Sequence, residues 1–125
     1  MHSITKRKKD DNFTNILQIS SAKLVKMKDK LEAFERLLNI MDELREKCPW
    51  DKKQTLDSLR HLTIEETYEL ADAIIAGDLE ELKGEIGDLM LHMVFYAKIA
   101  DEKNAFDIAD VLNAICDKLV HRHPH

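Results

Sequence analysis

The sequence predicts an all-α protein with a four-helix-bundle-like architecture, and three observations support this. Apolar residues recur at steps of three and four through most of the chain, the period of one helix face. Only 3 Gly and 2 Pro occur in 125 residues, too little turn chemistry for a many-stranded β fold. Charged residues make up 34% and aromatic residues 6%, the composition of helices with wet outer faces. With 44% hydrophobic residues, a chain of this length closes one core without disulfides or a structural metal.

The elements follow in order. Residues 1–21 are polar and without a sustained period, and read as a mobile basic and polar arm with at most a short turn near Ile16 and Leu17. The domain then occupies 22–125. From Ala22 to Lys47, Leu24, Met27, Leu31, Phe34, Leu38 and Met41 form the stripe of a long amphipathic helix, widened by Leu37, Ile40 and Leu44. Pro49 breaks it, because proline has no N–H and disfavours helical geometry in the residue before it. A second helix runs from about Thr55 to Ala76, with Leu59, Leu62, Leu70, Ala71, Ile74 and Ile75 as core candidates. Thr63 and Glu66 have the spacing of a capping box that restarts this helix. Gly77 is the expected stop and Asp78, with Glu81 three residues on, the next start. Leu79, Leu82, Ile86, Leu89, Met93, Tyr96 and Ala100 carry a third helix to about Lys103. Gly84 and Gly87 jar within it, and suggest that a neighbouring helix or a ligand approaches the backbone beside Glu85. Asp107 caps a last helix with Ile108, Val111, Leu112, Ile115, Leu119 and Val120 on its apolar side, ending before Pro124.

Charge narrows the function. The net charge of −5 argues against a protein that coats nucleic acid or an anionic membrane surface. No charge-free apolar run approaches the roughly 20 residues of a membrane-spanning helix. Asp10, Asp11 and Asn12 follow Lys6–Lys9 where the apolar part of a signal peptide belongs, so a cytoplasmic location is expected. Cys48 and Cys116 have no metal-site or redox spacing and read as reduced thiols.

The acids are concentrated. Between Ile64 and Asp88 lie nine acidic residues and one base, Lys83, so this hairpin alone carries −8. Glu66 and Glu69 share one helix face, as do Glu85 and Asp88 on the next. Glu69 and Glu85 each stand eight residues from Gly77, which puts the two pairs at similar height in an antiparallel hairpin. Carboxylates that converge in this way repel unless a cation lies among them, and an all-oxygen set favours Mg²⁺ or Mn²⁺ over zinc. The competing reading is a solvated acidic face. Leu70, Ala71, Ile74, Leu89 and Met93 lie on the same sides as some of these acids, which a purely solvated face avoids. A ferritin-like di-iron site needs Glu-x-x-His pairs, and the third positions after Glu66 and Glu85 are Glu69 and Asp88.

Several motifs together are more specific than any one. They are Leu44-Arg45-Glu46-Lys47-Cys48-Pro49-Trp50-Asp51, Gln54-Thr55, Ser58-Leu59, Glu65-Glu66-x-x-Glu69, Glu85-x-x-Asp88, and Asp117-Lys118 running into Arg122-His123-Pro124-His125. From about Leu37 to the last residue the chain resembles the MazG family of nucleoside triphosphate pyrophosphohydrolases. The resemblance implies an all-α fold, a homodimer or higher homo-oligomer, and Mg²⁺-dependent cleavage of an NTP into NMP and pyrophosphate.

It further implies that Glu66, Glu69, Glu85 and Asp88 are metal ligands and that Lys118 and Arg122, four residues apart on the last helix, neutralise triphosphate charge. Glu65 lies about 100° around the helix from Glu66, so that binding a second ion, orienting the attacking water and facing solvent all stay open for it. Trp50 has two readings, stacking on a base at the pocket mouth or anchoring the helix end by packing, the commoner fate of a lone tryptophan. His92, four residues after Asp88, reads as an interior histidine, with orientation of a ligand or water as the alternative. His121, His123 and His125 alternate beyond a helix and hold no fixed metal geometry. Many family proteins continue past the Arg-His-Pro-His segment, which marks this chain as a single-domain form or a piece of a longer protein. Two rival functions remain: a related all-α pyrophosphohydrolase acting on dUTP, dCTP or phosphoribosyl-ATP, and a non-catalytic module whose acidic hairpin holds metal or docks a basic partner.

Overall fold

A computed structural model describes the backbone of residues 6–123 and side chains from residue 20 onward. Every regular element in this range is helical: α1 (Lys6–Lys47), α2 (Pro49–Lys52), α3 (Leu56–Ala76), α4 (Leu79–Glu102) and α5 (Ile108–Arg122). None of these helices is long and apolar enough to cross a membrane. Residues 1–5 of the expected arm, and Pro124 and His125 of the closing motif, lie outside the described residues.

The start of α1 differs from expectation. The helix extends back to Lys6, so residues 6–21 continue it where a polar arm was expected. No glycine or proline precedes Pro49 to interrupt the backbone ladder, and propagation adds one hydrogen bond per residue once a helix exists.

The chain divides into two compact units, Met1–Leu37 and Leu38–His125. In the first, Leu24, Val25 and Leu31 are more than 60% exposed, and Lys28 and Glu32 face each other one turn apart. In the second, α2 to α5 follow the last turns of α1. Pro49 sits at the first position of the one-turn α2, where its missing N–H costs nothing.

Local chemistry sets the remaining helix ends. The Thr55 Oγ1 accepts from the Ser58 N–H at 3.0 Å and the Thr55 N–H donates to the Ser58 Oγ at 2.8 Å, a reciprocal cap that starts α3. Helix α3 then runs unbroken through Thr63, whose hydroxyl bonds back to the Leu59 carbonyl, so the expected restart there does not occur. Gly77 ends α3 in the left-handed region at φ 70°, where glycine alone carries no Cβ penalty. One residue later the Asp78 carboxylate accepts from the N–H groups of Glu80 and Glu81 to start α4. Asp107 and Asp110 cap α5 in the same reciprocal way as Thr55 and Ser58.

The buried core is Met41 of α1, Leu59 and Ala73 of α3, and Val94, Phe95, Ala97, Ile99 and Ala100 of α4. Most of it lies where the start of α3 meets the second half of α4, away from the Gly77 turn. Several residues from the expected stripes stand outside it: Leu79 and Ile75 are more than three-quarters exposed, and Ile74, Ile86 and Met93 are also exposed. Helix α4 is apolar nearly all round from Leu89 to Ala97, so periodicity alone does not select its buried face. Helix α5 meets α4, yet Val111, Leu112, Ile115 and Leu119 all remain exposed.

Arg45 ties the end of α1 to this core. Its guanidinium donates to both carboxylate oxygens of Glu102 at 2.9 and 2.5 Å, and Nη1 donates to the carbonyls of Asp51 at 2.7 Å and Gln54 at 3.0 Å. It also lies 5.6 Å from the Phe95 ring centroid. Lys98 of α4 pairs with Asp42 of α1 at 2.9 Å. Cys48 and Cys116 are free thiols, as expected.

Candidate active site

Helices α3 and α4 pack closely through the short Gly77-Asp78 connection. This register brings Glu66 of α3 opposite Glu85 and Asp88 of α4, each offering a carboxylate oxygen within 4.8 Å of the others. Three of the four carboxylates expected to converge meet here, and Glu69 is not one of them. Glu66 and Glu85 are half-buried and Asp88 is exposed, so the cluster opens to solvent on one side.

The electrostatics are those of a site that lacks positive charge. The Oε2 atoms of Glu66 and Glu85 are both inaccessible to solvent and neither has a hydrogen-bond partner. When both groups are ionised, no proton lies between them to share. Burial foremost, then a hydrogen bond with Glu85 that exists only when one carboxyl is protonated, then the charges of Glu69 and Asp88, push Glu66 up to about 7. Glu85 is also held above the ordinary carboxylate range, chiefly by burial and by the charges of Glu69 and Asp88. No basic side chain is among the groups acting on either residue.

An orphaned pair of buried carboxylate oxygens beside further acids is a donor set suited to a hard divalent cation. Glu66, Glu85 and Asp88 fit that role directly. Glu69 is exposed and stands outside the tight trio, but its charge and side chain reach both Glu66 and Glu85. Glu65 is exposed and takes no part in the trio.

The other expected site residues are placed differently. Lys118 and Arg122 lie on α5, both exposed and without an ion pair among the described residues. Trp50 is 57% exposed in α2, so it is not the packing anchor that its position suggested. An added Cβ at Gly84 or Gly87 would meet nothing within 4 Å, so neither glycine accommodates α3. Next to the carboxylates, Thr63 Oγ1 lies 2.9 Å from His92 Nδ1 and also bonds the Tyr96 hydroxyl. In the sequence Thr63 has the spacing of a cap and Tyr96 that of a core residue; the signal for a shared role is that Thr63 stands three residues before Glu66 and His92 four residues after Asp88 and four before Tyr96.

Residues 54–125 match the family model described as the MazG nucleotide pyrophosphohydrolase domain. This chain belongs to that family. The MazG match takes in both helices of the carboxylate hairpin and all of α5, and leaves Trp50 outside it. A nucleoside triphosphate pyrophosphohydrolase of Escherichia coli (strain K12) is 49% identical over 98 residues, covering 76% of this MazG chain and 37% of that protein. Thermotoga maritima has a nucleoside triphosphate pyrophosphohydrolase/pyrophosphatase MazG that is 48% identical over 101 residues, covering 79% of this chain and 40% of the relative. The chain thus spans about two fifths of the length of these curated relatives. The crystal structure of a mazG-related protein from Thermotoga maritima superposes with a TM-score of 0.65 at 33% identity, covering 72% of this chain and 79% of that one.

Proposed function

We propose that this chain is a Mg²⁺-dependent nucleoside triphosphate pyrophosphohydrolase, converting NTP and water to NMP and pyrophosphate, with Mn²⁺ as a possible substitute ion. The observation that carries the reading is the convergence of Glu66, Glu85 and Asp88 with two buried carboxylate oxygens left without a partner. The names of the relatives that share this domain agree with it.

In this reading Glu66, Glu85 and Asp88 hold the cation, with Glu69 as the fourth ligand. When bound, the ion supplies charge neutralisation at phosphate oxygens and a water of lowered pKa. The protein's task is positioning, because the reaction asks for no covalent intermediate. Lys118 and Arg122 are the phosphate partners on α5, and their freedom from ion pairs within the described residues leaves both charges for substrate. Glu65, exposed beside Glu66, orients water or a further ion. The exposed indole of Trp50 offers a face on which a base can stack.

Assembly as a homodimer or higher oligomer is part of the proposal, supported by the exposed apolar side chains of α5 and by Ile86, Met90 and Met93 of α4. A cytoplasmic location fits an enzyme of free nucleotides.

Product analysis tests the activity. Incubation with a panel of NTPs and dNTPs, in Mg²⁺ and in EDTA, is expected to give NMP and pyrophosphate only with metal. NDP and phosphate as first products refute the assignment. Absence of turnover together with tight Mg²⁺ binding favours the non-catalytic module instead.

A further inference from the structure

We propose that Thr63, His92 and Tyr96 form a positioning set for the carboxylate cluster: His92 is held with its proton on Nδ1, leaving Nε2 as an acceptor for waters of an ion bound at Glu66, Glu85 and Asp88. The proposal rests on the metal reading of that cluster.

The tautomer follows from counting protons. Thr63 Oγ1 contacts the Leu59 carbonyl at 3.2 Å, His92 Nδ1 at 2.9 Å, and the Tyr96 hydroxyl. A hydroxyl has one proton to give and two lone pairs with which to accept. The Leu59 carbonyl only accepts, so the Thr63 proton belongs to it. Both other contacts are satisfied together only if the Tyr96 O–H and the His92 Nδ1–H donate to Thr63. A neutral imidazole that carries its proton on Nδ1 has its lone pair on Nε2.

The position of the set gives that lone pair a use. Thr63 precedes Glu66 by three residues and His92 follows Asp88 by four, so the set forms the next layer of the same α3–α4 hairpin. Its three members are all half-buried, and the buried Leu59 and Phe95 lie on the same two helices. Three or four residues of helix rise about 4.5–6 Å.

The chemistry calls for such an acceptor. Mg²⁺ dehydrates reluctantly and keeps several waters, whose polarised O–H groups need acceptors once the site's carboxylates are engaged by the ion. Another carboxylate in this layer would add to a cluster already short of positive charge. A neutral imidazole nitrogen accepts without adding charge. Thr63 fixes which nitrogen that is, and Tyr96 occupies the second lone pair that would otherwise leave Thr63 free to turn.

Three His92 variants separate the functions of the two ring nitrogens. Asn keeps a side-chain donor to Thr63 but has nothing at the Nε2 position; Gln reaches the Nε2 position with an amide; Leu has neither. Mn²⁺ affinity by electron paramagnetic resonance, metal-free melting by circular dichroism, and pyrophosphate release are measured on the full chain. His92→Asn is expected to weaken Mn²⁺ binding and turnover by about 10- to 100-fold with metal-free melting unchanged. His92→Gln is expected to recover both to within about threefold of wild type, and His92→Leu to recover neither. An Asn variant that binds Mn²⁺ like wild type, or a Gln variant no better than Leu, overturns the proposal.

If the Asn variant melts well below wild type, Thr63 decides. Thr63→Ser keeps the hydroxyl and is expected to retain Mn²⁺ affinity, whereas Thr63→Val keeps the shape and is expected to lose about tenfold; equal affinities overturn the proposal. Wild-type protein that binds no Mn²⁺ at all removes the metal reading and this inference with it. Wild-type binding with unaffected variants removes the inference alone.

Discussion

Replacing Glu66 by glutamine should stabilise the metal-free protein, and by an amount that depends on pH. Glu66 rises from an ordinary 4.5 to about 7 in the folded chain. Between those values the folded state holds a proton that the unfolded state has released, so metal-free stability falls as pH rises through the window. At pH 8 Glu66 has lost its proton and faces Glu85 and Asp88 with oxygens within 4.8 Å. Two unit charges at that separation cost about 0.9 kcal/mol in a water-like dielectric and about 3.5 kcal/mol at an effective value near 20. A cluster open to solvent on one side is screened toward the lower figure, so the expected gain from Glu66→Gln is about 1 kcal/mol. That corresponds to a melting temperature higher by about 4 °C for a domain of this size. At pH 5 the wild-type carboxyl already carries its proton and the gain should vanish. Mg²⁺ at about ten times its Kd should stabilise wild type by about 1.4 kcal/mol, the variant by much less. The assay is thermal melting followed by circular dichroism from pH 5 to 8, in EDTA and in Mg²⁺. A Gln variant that is less stable at every pH, or a gain independent of pH, refutes the electrostatic account.

Other residues give sharp outcomes of their own. Arg45→Ala removes the paired bonds to Glu102 and the donor to the Asp51 and Gln54 carbonyls, and should cost about 3 kcal/mol in urea unfolding; a loss under 1 kcal/mol would place this network at the surface energetically. Gly84→Ala and Gly87→Ala meet open space in α4 and should each stabilise the metal-free chain by about 0.5–1 kcal/mol. A fall in oligomer content or turnover in the same variants would reveal what approaches that backbone. Lys118→Ala and Arg122→Ala should raise KM and lower kcat/KM for triphosphate, and unchanged steady-state kinetics in both would return them to a solvated face.

The parts of this fold that were legible in the sequence are those set by local chemistry. Thr55, Gly77, Asp78 and Asp107 end or begin helices through hydrogen bonds and backbone conformations confined to a few residues, and each stands where its residue type indicates. The carboxylate trio was legible because eight residues on either side of a glycine turn fix the height of both acid pairs. The start of α1 was not, because a polar helix and a polar arm share a composition and differ only in whether something interrupts the backbone. The buried face of α4 was hidden by its apolar surround, which left Val94, Phe95, Ala97 and Ile99 unassigned. Arg45 and Glu102 stand 57 residues apart, and no local pattern announces such a pair. The bonding of Thr63 to His92 and Tyr96 likewise appears only once α3 and α4 are placed side by side.

Trp50 makes the Cys48–Asp51 turn a natural optical reporter. It is the only tryptophan in the chain, and its indole is 57% exposed on the folded protein. Intrinsic fluorescence excited selectively at tryptophan therefore reads this turn and nothing else. Unfolding moves the indole from one wet environment to another and changes emission little, so a fluorescence melt would understate a transition that backbone signals show in full. A purine or pyrimidine ring settling against the indole would quench it strongly. Titration with a non-hydrolysable nucleotide would thus report base contact directly, without a label and independently of catalysis.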